Sequence, residues 1–283
     1  FVRLNGTYKL SFKAKSLGGA PTITIEAGRQ TIYLQQTVSL SNSWETYDFY
    51  FSASENGDTL GNGYVYFKIA NSEILLDDAK LEQTNGSESN PTAFSDGVVR
   101  TLRELRPGTL RYWGGQLGDS LDNALAPASA RRTTHYSPRY ASSNIQMGLE
   151  DFLKLCEAVN ADPWYVVPVT WSTHEMQQFL EYLGGNENST YGAKRISSGH
   201  ATPWTDVFSR IYLELGNENW NNASFAGGNI VTLASYADRG NTIFGAMRSS
   251  PYYNPSKFTG ILGAQYVNSG TARVIANNGI NID

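Results

Sequence analysis

Several polar and aromatic residues stand directly after short apolar runs in the second half of the sequence. After IYLEL come Asn217, Glu218 and Trp220. The other residues of this kind are Trp113, Gly115 and Gln116, which follow TLRY, and Trp171, which follows WYVVPVT. In parallel α/β folds the functional groups lie at the carboxyl ends of strands. Burial there favours the protonated carboxyl group that a general acid needs, so Glu218 is the first candidate for a catalytic residue.

The same residues also allow structural interpretations. Glu218 could cap a helix or form a salt bridge, and its place beside Asn217 at a strand end gives this role about the same weight as catalysis. Trp113 and Trp171 either form a platform on which pyranose rings stack or pack in the core of the domain. The sequence alone leaves these alternatives open.

Composition excludes several classes of protein. No run of the sequence approaches the ~18 consecutive apolar residues of a membrane span. Charged residues make up 17% of the chain and the net charge is -4, so there is no basic surface for nucleic acid or anionic lipid. The many Tyr, Trp, Phe, Gly and Asn residues suit a sugar ligand better.

Neither a metal site nor a bound cofactor is predicted. His135, His174 and His200 lack the spacing of metal ligands, and the single cysteine, Cys156, falls on the apolar face of its helix. A structural calcium at the acidic pair in ILLDDAK is weighed against a simple charge pair at a strand end, and the charge pair is preferred.

Helix and strand patterns alternate from residue 96 onward. DGVVRTLRELRPG predicts a helix with Val98, Leu102 and Leu105 on one face, and MGLEDFLKLCEAVNADP predicts another. Apolar strands are predicted at TLRYW, PWYVVPVTW, IYLEL and KFTGILGAQYV, with a fifth at the end of TARVIANNGINID. This alternation predicts an α/β domain with a parallel sheet, either doubly wound or part of a (β/α)8 TIM barrel.

Residues 1–84 follow a different pattern. Six runs alternate apolar and polar residues, and turn-forming clusters separate them. This pattern predicts a β-sandwich of antiparallel strands. The polar stretch that follows has no hydrophobic periodicity and predicts a linker over residues 85–97, so the α/β domain would span residues 98–283.

Three segments of the second half carry a family resemblance. LRPGTLRYWGGQ, LEDFLKLCEAVNADPWYVVPV and YLELGNENW occur in an order and at a spacing that resembles the family 51 glycoside hydrolases. These are retaining enzymes with a (β/α)8 barrel and are best known as α-L-arabinofuranosidases. The strands ending in ILLDDAKLEQ resemble a family 4 or 9 type of carbohydrate-binding module. The resemblance implies such a module followed by a partial catalytic barrel, in a chain that we expect to be cut at both ends.

The resemblance also implies roles for individual residues. Glu218 would be the general acid/base, and Asn217 would hydrogen-bond to the 2-hydroxyl group of the sugar. The family's nucleophile is a Glu near the end of a later strand, but the only acids after Glu218 are Asp238 and Asp283. We therefore expect a missing segment or a second chain to supply the nucleophile and complete the barrel.

Two positions depart from the family pattern. Trp113 stands where the family usually has Pro, and Gln116 where it usually has Asn, which leaves the preference for arabinofuranose open. The expected function is hydrolysis of plant cell-wall polysaccharide by a secreted or extracellular enzyme, most simply an α-L-arabinofuranosidase. An endo-β-glucanase or xylanase and a non-catalytic carbohydrate-binding protein are the alternatives. The expected substrate-binding residues are Asn217, Trp113, Gly115, Gln116, Trp171 and Trp220.

Overall fold

The computed structural model of the protein describes residues 4–55, 62–84, 90–114, 118–127, 130–131, 147–223 and 226–280. The chain divides into two compact units, Phe1–Pro91 and Thr92–Asp283. This division falls within the segment that the sequence predicts as a linker. None of the helices in the described ranges is long and apolar enough to cross a membrane.

The first unit is antiparallel. Its strands are β1 (Asn5–Ser16), β2 (Thr22–Gly28), β3 (Ile32–Ser39), β4 (Glu45–Ser54), β5 (Tyr64–Ile69) and β6 (Ile74–Gln83). They form two three-stranded sheets with the orders β4-β1-β6 and β3-β2-β5. Each alternating run of the sequence forms one of these strands, because alternation places the apolar side chains on one face of a sheet.

One apolar cluster fills the first unit. Leu10 and Phe12 of β1 and Ile23 and Ile25 of β2 are among its buried members. The ring of Phe12 meets the ring of Phe67 of β5 edge-on, with 4.9 Å between their centroids. The apolar faces of both sheets therefore contribute to the same core, and burying them supplies the main stabilisation of this unit.

The second unit alternates helices with parallel strands. Its elements are α1 (Asp96–Leu105), β7 (Thr109–Tyr112), α2 (Leu121–Ala124), α3 (Leu149–Val159), β8 (Asp162–Val167), α4 (Thr173–Gly184), α5 (Thr190–Ser197), α6 (Trp204–Val207), β9 (Ile211–Leu215), α7 (Leu233–Ser249), β10 (Phe258–Leu262) and α8 (Ser269–Asn277). The four strands form one sheet in the order β10-β9-β8-β7. The fifth strand expected after α8 would include residues 281–283, which lie outside the described residues, and it stays a prediction.

Helices cover one face of the parallel sheet. Leu213 and Leu215 of β9 and Tyr165 of β8 are buried in a cluster that includes side chains of α3, α4 and α7. Since side chains alternate along a strand, Glu214 and Trp164 point to the opposite face. The sheet therefore has one apolar face against helices and one face that carries charged and polar groups.

The buried face of α1 differs from the prediction. Val98 and Leu105 are 48% and 71% exposed, whereas Val99 is only 1% exposed. The helix packs through Val99 and Leu102 in a small cluster with Leu155 of α3, so its contact stripe lies one position further along the helix. Of the three residues that the sequence places on one face of this helix, Leu102 packs in the cluster while Val98 and Leu105 stay exposed, because the position of α3 selects the buried stripe.

Arg195 of α5 forms hydrogen bonds that hold the segment between α4 and β9 in place. Its side chain is fully buried. The guanidinium group donates to the backbone carbonyls of Tyr182 at 2.9 Å, His200 at 3.2 Å and Ala201 at 3.2 Å. A buried charge is tolerated when hydrogen bonds replace its water, and here three carbonyl groups do so. This side chain therefore fixes the path by which the chain enters β9.

Replacing Arg195 by Met should lower the free energy of unfolding by about 2 to 4 kcal/mol, because the buried carbonyls lose their donor. Urea unfolding followed by tryptophan fluorescence measures the loss. Arg100→Met is the matched control, since Arg100 is exposed on α1. That control should change stability by less than about 0.5 kcal/mol, and equal losses in the two variants would contradict the role given to Arg195.

Candidate active site

The carboxyl ends of the four parallel strands lie at one edge of the sheet. In the sheet register Tyr112 of β7 is opposite Tyr165, Val167 of β8 is opposite Leu215, and Leu215 of β9 is opposite Leu262. The segments after the strands therefore start from the same edge. The candidate residues predicted from the sequence follow the strands at this edge.

The turn after β9 has a left-handed backbone at two positions. Gly216 has a φ of 65° and Glu218 has a φ of 53°. A side chain at position 216 would collide with Asn219 and Val169, so only glycine fits there. For Glu218 the left-handed conformation costs on the order of 1 kcal/mol or more and persists only where surrounding contacts hold it. Such positions cluster at functional sites.

Different partners hold Asn217 and Glu218. Asn217 is 7% exposed, and its Oδ1 accepts a hydrogen bond from a terminal nitrogen of Arg111 at 2.9 Å. Its carbonyl oxygen accepts from the backbone N–H of Gly227 at 2.6 Å. Glu218 is half-buried, and its Oε2 accepts from Nδ2 of Asn221 at 2.9 Å. The pair thus presents a fixed amide beside a carboxyl group that solvent and a ligand can reach.

Arg111 joins strands β7 and β9 across the polar face of the sheet. Its Nε donates to Oε2 of Glu214 at 2.7 Å. The indole N–H of Trp164 on β8 donates to the same oxygen at 2.8 Å. The Glu214 side chain is only 7% exposed, so its carboxylate depends on these two donors in place of water. The same guanidinium group that holds Glu214 also orients the amide of Asn217.

Arg111, Trp164 and Glu214 are not among the residues predicted from the sequence. The predicted residues follow the strands, whereas these three lie within them. A signal was present, because charged residues are almost never fully buried unless they are paired. The arginine in TLRY and the glutamate in IYLEL therefore pointed to an ion pair between two strands of the sheet.

Asn219 ties the turn after β9 to the start of α7. It is 1% exposed, and its Nδ2 donates to the carbonyl oxygen of Val231 at 2.9 Å. A Cβ atom at Gly216 or at Gly227 would collide with its side-chain oxygen. The amide therefore lies between two glycines, which explains why this loop needs both of them.

Two side chains of α7 hold the ends of the central strands. The hydroxyl group of Tyr236 donates to the carbonyl oxygen of Leu215 and accepts from the N–H of Gly263 at 3.2 Å. Burial raises the pKa of Tyr236, so the hydroxyl keeps its proton. Arg239 donates from Nε to the carbonyl oxygen of Val169 at 2.8 Å and from a terminal nitrogen to that of Trp171. These bonds fix the strand ends from the helix side of the sheet.

Trp171 does not line the site. It is 1% exposed, and its indole N–H donates to the carbonyl oxygen of Asp119 at 2.8 Å. Its ring meets that of Phe179 of α4 edge-on, with 5.3 Å between centroids. The expectation that Trp171 binds sugar was wrong, because the chain turns it onto the helix side, where α4 covers it.

The other aromatic candidates keep an accessible surface. Trp113 is 36% exposed, and Trp220 is partly exposed. A Cβ atom built on Gly263 would lie 3.3 Å from the Trp220 ring, so Trp220 sits against the loop after β10. Gly115 and Gln116 lie outside the described residues, and their proposed contacts with substrate stay predictions.

Asp119 is a buried carboxyl group in the segment after β7. It is 7% exposed, and burial raises its pKa from 3.8 to about 6. A hydrogen bond from the amide of Asn123 at 2.8 Å acts in the opposite direction but does not cancel the effect of burial. Asp119 is therefore a titratable group of the second unit that was not among the residues predicted from the sequence.

The histidines have structural contacts where they are described. The ring of His200 stacks on Trp204 at 3.5 Å between centroids, and its Nδ1 lies 2.7 Å from the carbonyl oxygen of Thr202. His135 lies outside the described residues. Over the part of the chain that the structure covers, no group of three or more His, Cys, Asp or Glu side chains is arranged to hold a metal ion.

Solved structures share the fold of most of the chain. An α-L-arabinofuranosidase from Thermotoga maritima in complex with arabinose matches with a TM-score of 0.52 and 18% identity, over 67% of this chain and 38% of that one. A family 51 α-L-arabinofuranosidase from Bifidobacterium longum matches with a TM-score of 0.52 and 18% identity, over 68% of this chain and 38% of that one. The chain therefore has the α/β fold of part of these structures.

The sequence matches the family profile of the alpha-L-arabinofuranosidase 1 domain over residues 101–261, more than half of the chain. The chain belongs to this family. A probable alpha-L-arabinofuranosidase C from Aspergillus niger is 26% identical over 137 residues, and an intracellular exo-alpha-(1->5)-L-arabinofuranosidase from Acetivibrio thermocellus is 28% identical over 127 residues. These alignments cover 47% and 44% of this chain but only 26% and 25% of the two relatives. The chain thus spans about a quarter of the curated relatives it matches.

Arg111→Met should lower the free energy of unfolding by about 1 to 3 kcal/mol, because the buried Glu214 carboxylate loses its charged partner. Chemical unfolding of Arg111→Met, Glu214→Gln and the double variant measures the coupling between the two side chains. We expect the arginine substitution to cost clearly less in the Glu214→Gln background. Equal costs in both backgrounds would show that the carboxylate does not depend on Arg111.

Asp119 should make the protein less stable as the pH rises from about 4 to 6. The unfolded chain releases this proton near the ordinary pKa of 3.8, whereas the folded chain holds it until about 6. The free energy of unfolding should fall by about 2 kcal/mol over this pH range. Urea unfolding at several pH values should show that Asp119→Asn removes this fall. Asp238→Asn, at an exposed position on α7, is the control, and an identical pH dependence in all three proteins would contradict the assignment.

Proposed function

We propose that the protein is a retaining glycoside hydrolase that releases α-L-arabinofuranose from plant cell-wall polysaccharide, with Glu218 as its general acid/base. The observation that carries this proposal is the Asn217–Glu218 pair at the carboxyl end of a parallel strand, where Arg111 holds the amide and leaves the carboxyl group accessible. Membership of the alpha-L-arabinofuranosidase 1 domain family supports it.

Glu218 supplies the proton transfers of this mechanism. In the first step the protonated carboxyl group gives its proton to the leaving oxygen while a second carboxylate attacks the anomeric carbon. In the second step the Glu218 carboxylate takes a proton from water, and that water releases the sugar from the second carboxylate. Asp238 is exposed on α7 and does not suit the second role, so we place that carboxylate outside the described residues.

Asn217 orients the sugar. Its Oδ1 is engaged by Arg111, which fixes the orientation of the amide. An amide held in this way is placed to contact the 2-hydroxyl group of a sugar whose glycosidic oxygen lies at Glu218. Because Asn217 is nearly buried, the bond forms in a medium poorer in water than the surface, where it contributes more.

The burial of Trp171 affects the choice between the candidate substrates. An endo-acting glucanase or xylanase needs a stacking platform for several pyranose rings, and the sequence suggested Trp113 and Trp171 for it. With Trp171 in the core, one of these two rings is lost to the platform, while Trp113 keeps an accessible surface. The loss of Trp171 weakens the support for the endo-acting alternative.

The two units have proposed identities of their own. We propose that the first unit is a β-sandwich of the carbohydrate-binding type, supported by its two three-stranded sheets that share one core. The second unit would be part of a (β/α)8 barrel, supported by its four parallel strands in sequential order. A polysaccharide substrate favours a secreted or extracellular protein, although one relative is named as an intracellular enzyme.

Glu218→Gln in the full-length protein should lower kcat/KM on an arabinan oligosaccharide by about 10²- to 10⁴-fold, since the leaving oxygen loses its proton donor. Glu187→Gln is the matched control, because Glu187 is an exposed glutamate outside the site, and it should leave kcat/KM unchanged. Retained turnover in Glu218→Gln would reject Glu218 as the acid.

The same assay separates the alternatives. Hydrolysis of an aryl arabinofuranoside with no action on soluble β-glucan or xylan would support the arabinofuranosidase. Cleavage of β-glucan or xylan alone would favour the endo-acting alternative. If the wild-type protein binds glycan but hydrolyses none of these substrates, the protein is a carbohydrate-binding protein and the catalytic assignment fails.

A further inference from the structure

Asn221 contacts Glu218 through both its side chain and its backbone. Its Nδ2 donates to Oε2 of Glu218 at 2.9 Å, and its backbone N–H donates to the carbonyl oxygen of Glu218 at 2.8 Å. It is partly buried, as is Glu218. It follows the Asn-Glu pair in the same turn, and the mechanism above gives it no role.

The orientation of the Asn221 amide is fixed from its other end. Its Oδ1 accepts a hydrogen bond from the backbone N–H of Ala223 at 2.9 Å. The oxygen is therefore engaged with a group that can only donate, and the nitrogen must face Glu218. Because an amide nitrogen can only donate, Oε2 of Glu218 is constrained to be a hydrogen-bond acceptor.

The backbone contact stabilises the unusual conformation of Glu218. The bond from the Asn221 N–H to the Glu218 carbonyl closes the turn in which Glu218 has a φ of 53°. The carbonyl oxygen of Asn221 itself lies so close to Gly228 that a Cβ atom there would collide with it. Contacts with Ala223 and Gly228 thus fix Asn221, and Asn221 fixes the conformation of Glu218.

We propose that Asn221 is a positioning residue that makes Oε2 of Glu218 a permanent acceptor, so that Oε1 carries the proton in the acid form. This proposal rests on the proposed function of Glu218. In the first step the proton leaves Oε1 for the glycosidic oxygen, and the negative charge that remains is stabilised at Oε2 by the Asn221 N–H. In the second step Oε1 takes a proton back from the attacking water.

Four ionisable groups described near this edge are engaged elsewhere. Arg111 of β7 is bonded to Glu214 of β9, while Tyr236 and Arg239 of α7 are bonded to backbone groups of neighbouring strands. Substitutions at position 221 leave all of them in place. A change in the titration of the site on substitution of Asn221 therefore reports the contact between Asn221 and Glu218.

The direction of the expected change follows from the donor. A hydrogen-bond donor at a carboxyl group favours its charged form, so we expect the pH profile of the enzyme to change when the Asn221 N–H is removed. The alkaline limb of kcat/KM, which reports loss of the acid, should then move to higher pH. Asn221→Asp keeps an oxygen for Ala223 and adds a like charge beside Glu218, so it should move the limb further than Asn221→Ala.

The test is the pH profile of kcat/KM on phenyl α-L-arabinofuranoside, whose poor leaving group needs the acid. We expect the alkaline limb to rise by about one pH unit in Asn221→Asp and by about half a unit in Asn221→Ala. Asn222→Asp adds the same charge at an exposed neighbouring position and should move the limb by less than about 0.2 units. If one variant at position 221 does not fold, the other gives the result.

A uniform loss of kcat/KM with the alkaline limb unmoved would overturn the proposal, because a purely structural role predicts that outcome. A shift in Asn222→Asp as large as in Asn221→Asp would overturn it as well. Glu218→Ala on 2,4-dinitrophenyl α-L-arabinofuranoside tests the underlying function separately. This leaving group needs no acid, so azide should restore turnover and form the arabinosyl azide.

The two measurements separate the two possible failures. If Glu218→Ala is rescued by azide but the limb of Asn221→Asp stays in place, only the role of Asn221 fails. If Glu218→Ala acts like the wild type on the phenyl substrate and azide has no effect, Glu218 is not the acid/base. The proposed function then fails together with the inference that rests on it.

Discussion

The buried carboxylate of Glu214 is the constraint on which the candidate site depends. Its Oε2 lies between the guanidinium group of Arg111 and the indole N–H of Trp164, which come from two other strands of the sheet. A carboxylate removed from water is costly unless such donors replace its hydration, so these strands must keep their mutual register. The same guanidinium group also bonds Asn217. The register of the sheet therefore determines the position of the amide that would face the sugar.

The turn after β9 is also tightly packed. Gly216, Gly227 and Gly228 all lie where a Cβ atom would collide with a neighbouring group, and two of these collisions involve the side chain of Asn219. The turn is therefore packed around amide groups instead of apolar side chains. Amides donate and accept in fixed directions, so this packing positions polar atoms more narrowly than an apolar core would. Asn217 and Asn221 flank Glu218 in this arrangement, and each is oriented by a bond at its far end.

The sequence predicts the elements of the fold well, because strand and helix periods are local properties. The six strands of the first unit, the parallel strands of the second and the position of Asn217 and Glu218 at a strand end all follow from short runs of residues. The ion pair of Arg111 and Glu214 joins residues 103 positions apart, so the sequence indicates that each needs a partner, but the register of the sheet decides which one. The burial of Trp171 and the contact face of α1 depend on where α4 and α3 pack, which no local pattern records.

The left-handed backbone conformation of Glu218 lowers stability at the position whose side chain is proposed to transfer the proton. A glycine there would adopt a φ of 53° without the steric cost that a glutamate bears, which is on the order of 1 kcal/mol. Removing the side chain that is proposed to transfer the proton would thus also relax the backbone at this position. For enzyme engineering, a glycine at this position would give a relaxed scaffold that keeps Asn217 in the proposed sugar site. Such a scaffold would suit bond formation between activated donors and acceptors that are already anionic, such as thiolates, because neither step then needs the proton transfers proposed for Glu218.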